Sequence, residues 1–176
     1  AALIREREHG TGEHLLVMPV SALEIMVSKI WSMGLAVLVA SALSLAIVVQ
    51  GALGVPVAGS VPLFLAGTAL ELYAVTALGI FLATLAGSMP QFGLLMVLVF
   101  LPMQVLSGTL TPRESMPQVI QDIMLLAPNT HYTILSQAIL FRGAGFDVVW
   151  PQFAALIVIG SVLFAVALAR FKAFLR

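Results

Sequence analysis

Four apolar stretches limit what this chain can fold into more than any other feature: about Trp31 to Val49, about Leu63 to Ala86, about Gln91 to Leu106 and Pro151 to Ala169. The hydrocarbon core of a bilayer is about 30 Å thick, and a helix rising about 1.5 Å per residue crosses it in about 20 residues. The stretches therefore predict an all-α integral membrane protein with about four transmembrane helices. Composition agrees, since 61% of the 176 residues are hydrophobic and 9% charged, whereas a soluble domain carries about 25% charge. We read one transmembrane domain over 1–176, with a charged segment at 1–20, spans at 21–50, 62–87, 91–108 and 151–170, and short helices at 109–150.

Local signals set the ends of these helices. Ser21-Ala22-Leu23-Glu24 has the capping-box pattern, in which hydroxyl and carboxylate bond each other's backbone amides, and Val20 with Ile25 supplies the hydrophobic staple. Lys29 and Trp31 suit the headgroup level, and Gln50, Gly51 and Gly54-Val55-Pro56 are expected to end the first span. Gly87-Ser88-Met89-Pro90 predicts a tight reversal, and Pro102 a kink near the far end of the third span. Between Ser107 and Trp150, Ser115-Met116-Pro117-Gln118 starts one short helix. Pro128 then breaks and restarts the chain, and Gly143 stops it. Each piece is about 11 residues, too short to cross, so a pair lying on or dipping into one face is expected, with a single broken span as the alternative. Pro151 is expected to start the last span.

Basic residues set the orientation. With the charged segment inside, Arg5, Arg7, Lys29, Arg170, Lys172 and Arg176 are cytoplasmic and Arg113 and Arg142 are outside, which the positive-inside rule favours. Both ends of the chain are then cytoplasmic and the short helix pair faces out. Ala1 to Ile4 reads as the last turn of an earlier span, so the chain is expected to be a piece of a longer protein. It carries no signal-peptide pattern.

Few residues could carry chemistry. Equal numbers of basic and acidic residues, eight each, give no sign of nucleic acid as a partner, and the absence of cysteine removes disulfides, thiolate metal sites and thiol nucleophiles. His9, Glu13 and His14 have the residue types of a zinc-protease site. Their spacing matches neither His-Glu-x-x-His nor His-x-x-Glu-His, and the two histidines fall about 140° apart on a helix, so no metal is expected. Gly10 and Gly12 follow no strand and lack the lysine of a phosphate loop, so no nucleotide site is expected in this chain. Glu71 lies about ten residues into its span, where a lone carboxylate costs ~2.5 to 3.5 kcal/mol on insertion scales. It either faces a transport path, binding a cation or a proton, or packs as a hydrogen-bonded carboxyl beside Thr68, Tyr73 or Thr76. Tyr73 and His131 are further candidates for the path, His131 otherwise anchoring a short helix at the outer interface.

The stretch Arg-Glu-Arg-Glu-His-Gly-Thr-Gly-Glu-His-Leu-Leu-Val-Met-Pro-Val at 5–20, with Glu24, Ile25 and Lys29, resembles the cytoplasmic signature of type 2 ABC exporter permeases, the bacterial inner-membrane, drug-efflux-like branch in particular. The resemblance continues through Gly-Val-Pro at 54–56, Ser-Met-Pro-Gln at 88–91, Ser-Gly-Thr-Leu-Thr-Pro-Arg-Glu-Ser-Met-Pro at 107–117 and Arg-Gly-Ala-Gly-Phe at 142–146. It implies a coupling helix over Arg5 to Pro19 that docks on a separate ATPase subunit. The matching positions are Glu6, Glu8, Gly10, Thr11, Glu13, Leu15, Leu16 and Pro19, with Arg5 and Arg7 in the same stretch. It also implies an earlier span, an extracytoplasmic domain and a second span ahead of residue 1, and a re-entrant pair after residue 115.

The function expected on this basis is that of the permease of an ATP-driven exporter in a bacterial inner membrane, without an active site of its own. ATP and magnesium would be bound by the partner ATPase. A second permease copy or a paralogue and a periplasmic adaptor are further expected partners, alongside the lipid bilayer. The alternatives are an intramembrane enzyme, which would need a converging acid pair or metal ligands, and a membrane scaffold that transports nothing.

Overall fold

In the computed structural model, residues 22–174 are described, so the charged segment, with the expected coupling helix and the cap at Ser21, lies outside the described residues. Within them the chain forms helices and no strand: α1 (Ala22–Leu43), α2 (Val61–Leu85), α3 (Met89–Leu106), α4 (Gln118–Met124), α5 (Pro128–Arg142) and α6 (Phe146–Phe174). Helices close their backbone hydrogen bonds within one segment, as an element without water must. Four stretches are long and apolar enough to cross a membrane: Met26–Ala52, Val61–Leu85, Met89–Leu106 and Phe146–Arg170.

Two boundaries differ from expectation. Gln50 and Gly51 do not end the first helix, which widens into a π-helical segment, Ser44–Ala52; there the Leu53 amide reaches back five residues to the Val48 carbonyl at 2.9 Å. The wider turn absorbs the glycine without ending the ladder. Pro151 does not start the last helix either. It sits inside α6, five residues after Phe146, where its missing N–H removes one rung, to the Asp147 carbonyl, within the second turn. Other signals act as their chemistry dictates. Ser60 caps α2, its hydroxyl accepting from the Leu63 amide at 3.4 Å, and Gly143 ends α5 at φ +66°, with its amide on the Ala138 and Ile139 carbonyls.

The core forms around α2. Gly67, Thr68, Glu71, Ala74, Ala77, Ile80 and Ala83 are buried along it, a spacing of three or four that marks one face of a helix. That face meets α6, which runs parallel to it: Phe153 clusters with Phe64, and Ala167 with Ile80. The approach is close because the residues are small. A Cβ added to Gly160 would stand 2.8 Å from the Tyr73 ring and 3.3 Å from the Ala74 Cβ. Helix α1 runs antiparallel to α2, with Met26 in the Ile80 cluster and Leu45 in the Phe64 cluster.

The short helices settle into this frame differently. Helix α5 lies lengthwise and antiparallel along α2. The Ala58 amide bonds the Leu140 carbonyl at 3.1 Å, a Cβ on Gly59 would collide with the Ile139 carbonyl, one on Gly67 would stand 2.5 Å from Leu135, and Thr68 meets Tyr132 at 3.1 Å. At 15 residues it is shorter than a crossing requires, and its C-terminal end lies at the end of α2 that carries the 53–60 loop.

Close packing at Gly160 leaves no room for a branched side chain. Gly160→Val in the full-length protein should lower stability by about 1 to 3 kcal/mol, seen as a depressed midpoint of thermal unfolding in detergent. Gly79→Ala, whose added carbon meets nothing within 4 Å, should leave that midpoint unchanged or slightly raised.

Candidate polar cavity beside the central helix

The rhythm that buries Ala74 and Ala77 also buries Glu71, which is 8% exposed. It is the only charged residue in α2, and its Oε2 is buried without a hydrogen-bond partner. It lines a cavity of about 370 Å³ between α2, α3 and α5, together with Gln104, Thr109, Asn129, Tyr132 and Thr133.

Two groups of hydrogen bonds shape the walls. Asn129 donates from Nδ2 to Gln104 Oε1 at 3.1 Å, tying the first turn of α5 to the last turn of α3. The hydroxyls of Ser107, Thr109 and Thr133 form a chain, with separations of 2.9 and 3.1 Å, that fixes the turn after α3 against α5. On the α2 side, Thr68 donates to the Phe64 carbonyl at 2.9 Å, which leaves its oxygen to accept from the Tyr132 hydroxyl. The walls are therefore well bonded, while Glu71 Oε2 and Asn129 Oδ1 are both buried and unpaired.

The three residues expected on the transport path separate in space. Glu71 lines the cavity. Tyr73, two residues on and so about 200° round the helix, stacks against Phe164 with ring centroids 5.7 Å apart, beside an apolar groove shared with α1. His131 donates from Nε2 to the Leu125 carbonyl at 2.8 Å, bracing the corner between α4 and α5. Thr68, one of the expected neighbours of the carboxylate, instead serves Tyr132. The residues expected to touch an ATPase, Arg5 to Pro19, lie outside the described residues.

Asn129, Thr133 and Gln104 are site residues that motif reading missed, although a signal was present. Asn129, Tyr132, Thr133, Ser136 and Gln137 recur at helical spacing, a polar stripe on an element otherwise surrounded by apolar sequence. Such a stripe at membrane depth needs something polar to face. Here it faces Glu71.

The chain can now be set beside known proteins. A family model described as ABC-2 family transporter protein matches residues 1–169. The chain is 64% identical over 172 residues to the inner membrane transport permease YhhJ of Escherichia coli K12, and equally to its counterpart in Shigella flexneri. It is 28% identical over 171 residues to the probable multidrug ABC transporter permease YbhR of Escherichia coli K12. These matches take in 97 to 98% of the chain but 46% of each relative, so the chain spans about half the length of the proteins it resembles. No solved structure matches it.

If the cavity serves a ligand rather than the fold, its carboxylate should be dispensable for stability. Glu71→Leu removes an unpaired buried oxygen, so the full-length variant should unfold in detergent at or above the wild-type midpoint. Tyr132→Phe, which breaks the bond to Thr68, should lose about 1 kcal/mol. A marked fall in the Glu71→Leu midpoint would identify the carboxyl as part of the packing.

Proposed function

The chain belongs to the ABC-2 family of transporter proteins, and from that premise we propose that it is the membrane-embedded transport half of an exporter driven by a separate ATPase. The observation that carries this reading is the family match across residues 1–169, which includes the charged segment as well as the four apolar helices. The name of the 64% identical relative, an inner membrane transport permease, supports the same role and a bacterial inner-membrane location.

In this reading the segment Arg5 to Pro19 is the point of contact with the ATPase. Its alternating arginines and glutamates offer pairing partners to a cytoplasmic protein. It leads into α1, which packs along α2 through Met26 and Leu45, so a displacement of a few Å at the cytoplasmic end reaches the α2 and α6 core through rigid elements. ATP and magnesium stay with the partner, and a second permease copy or paralogue completes the path. The end bearing α4 and α5 faces outward, because Arg170 and Lys172 gather at the other end. The cavity at Glu71 lies on the path, on its outward side.

Coupling is tested with the full-length permease and its cognate ATPase. Glu8→Lys reverses a charge in the contact segment and Gly10→Pro stiffens its middle. Each should abolish co-purification of the ATPase and return its hydrolysis rate to that of the isolated subunit. Wild-type levels of both in both variants would overturn the assignment.

A further inference from the structure

The polar atoms around the Glu71 cavity are unevenly used. Three of its donors are engaged with protein acceptors: Asn129 Nδ2 with Gln104, the Tyr132 hydroxyl with Thr68, and Ser136 with the Thr133 carbonyl at 3.0 Å; the side-chain amides of Gln104 and Gln137 lie at its exposed rim. The buried atoms left over, Glu71 Oε2 and Asn129 Oδ1, are both acceptors. With its buried unpartnered atoms both acceptors, the inner part of the cavity favours a ligand that brings N–H or O–H groups.

Charge narrows the class further. Among the described residues no lysine, arginine or histidine lines the cavity, so none of them offers an ionised Glu71 a counter-charge there. Water could donate to both oxygens but would leave the charge of the buried Glu71 carboxylate unbalanced, whereas an ammonium supplies donors and charge together. Tyr132 and Phe141 add aromatic surface to the walls, a favourable neighbour for an organic cation. The volume, about 370 Å³, is at the small end of ligand pockets.

We propose that the cavity between α2, α3 and α5 is a binding site for a small organic ammonium, its N–H groups received by Glu71 Oε2 and Asn129 Oδ1. That such an amine is cargo rests on the transport reading, but its binding does not require the ATPase.

The experiment therefore uses the purified full-length permease alone in detergent, with radiolabelled benzylamine in equilibrium binding. Saturable binding is expected. It should be displaced by n-butylammonium, weakly by tetramethylammonium, which has the charge but no N–H, and not by benzyl alcohol, which has the ring but no charge. Glu71→Gln, which keeps the shape of the side chain, should weaken binding about tenfold or more, and Glu71→Asp should retain part of it. Arg142→Gln, outside the cavity, should bind as wild type. No saturable binding by the wild type, displacement by benzyl alcohol as effective as by butylammonium, or unchanged affinity in Glu71→Gln would each overturn the proposal. If Glu71→Gln does not fold, the wild-type competition pattern and the Glu71→Asp affinity decide it. Because no ATPase is present, absent amine binding leaves the coupling assignment standing, and failed coupling leaves an amine site standing.

Discussion

The close approach of α2 and α6 is the interaction on which the other helices depend. Lipid tails are as apolar as leucine, so burying greasy side chains against one another gains little inside a bilayer, and helices associate where backbones can come near enough for dispersion to accumulate. Ala74, Ala77 and Ala167 are fully buried, and Gly160 lies directly against Tyr73 and Ala74. With that seam closed, the end of the pair near the start of α2 offers a cleft bordered by Phe64, Val149 and Phe153, and α5 fills it with Leu135 and Ile139. Helix α5 is thus held by shape: Gly59 and Gly67 are the two places where α2 and its preceding loop yield to it.

The same seam accounts for the burial of the carboxylate. Position 71 continues the spacing of Gly67, Ala74 and Ala77, so any residue there points toward the packed side of α2. Most of that side is covered by α6. Glu71 falls where α6 gives way to α5, and the polar stripe of α5 is what it meets. Acid and stripe are far apart in sequence, yet each would be unfavourable in lipid without the other.

Much of the architecture was legible from local chemistry. Span lengths, the reversal at Gly87 and the stop at Gly143 follow from hydropathy and from backbone restrictions that act within a few residues, and the structure has helices and turns at those places. What was not legible depends on partners distant in the chain. Gln50 and Gly51 read as terminators, but a change in helical pitch carried the ladder past them. Tyr73 and His131 were grouped with Glu71 because polar or aromatic residues in apolar surroundings look alike in one dimension. Only the helical phase and the corner at Leu125 separate them. Asn129 and Gln104 escaped notice because an amide carries no motif until its neighbour across the fold is known.

Helix α3 stands apart from this packing. None of its residues is buried, and it is secured near its two ends, by Met89, Phe92 and Leu95 against Ala83 and Ala86 at one and by Gln104 to Asn129 at the other. Pro102, just before the second attachment, removes one rung of its hydrogen-bond ladder. Among the described residues, then, one wall of the Glu71 cavity is a slat pinned top and bottom, whose tilting would expose little apolar area that was previously covered. The cavity's width is set by the Gln104–Asn129 amide pair and the hydroxyl chain through Thr109 and Thr133 more than by the hydrophobic core, so it can change while the seam between α2 and α6 stays shut.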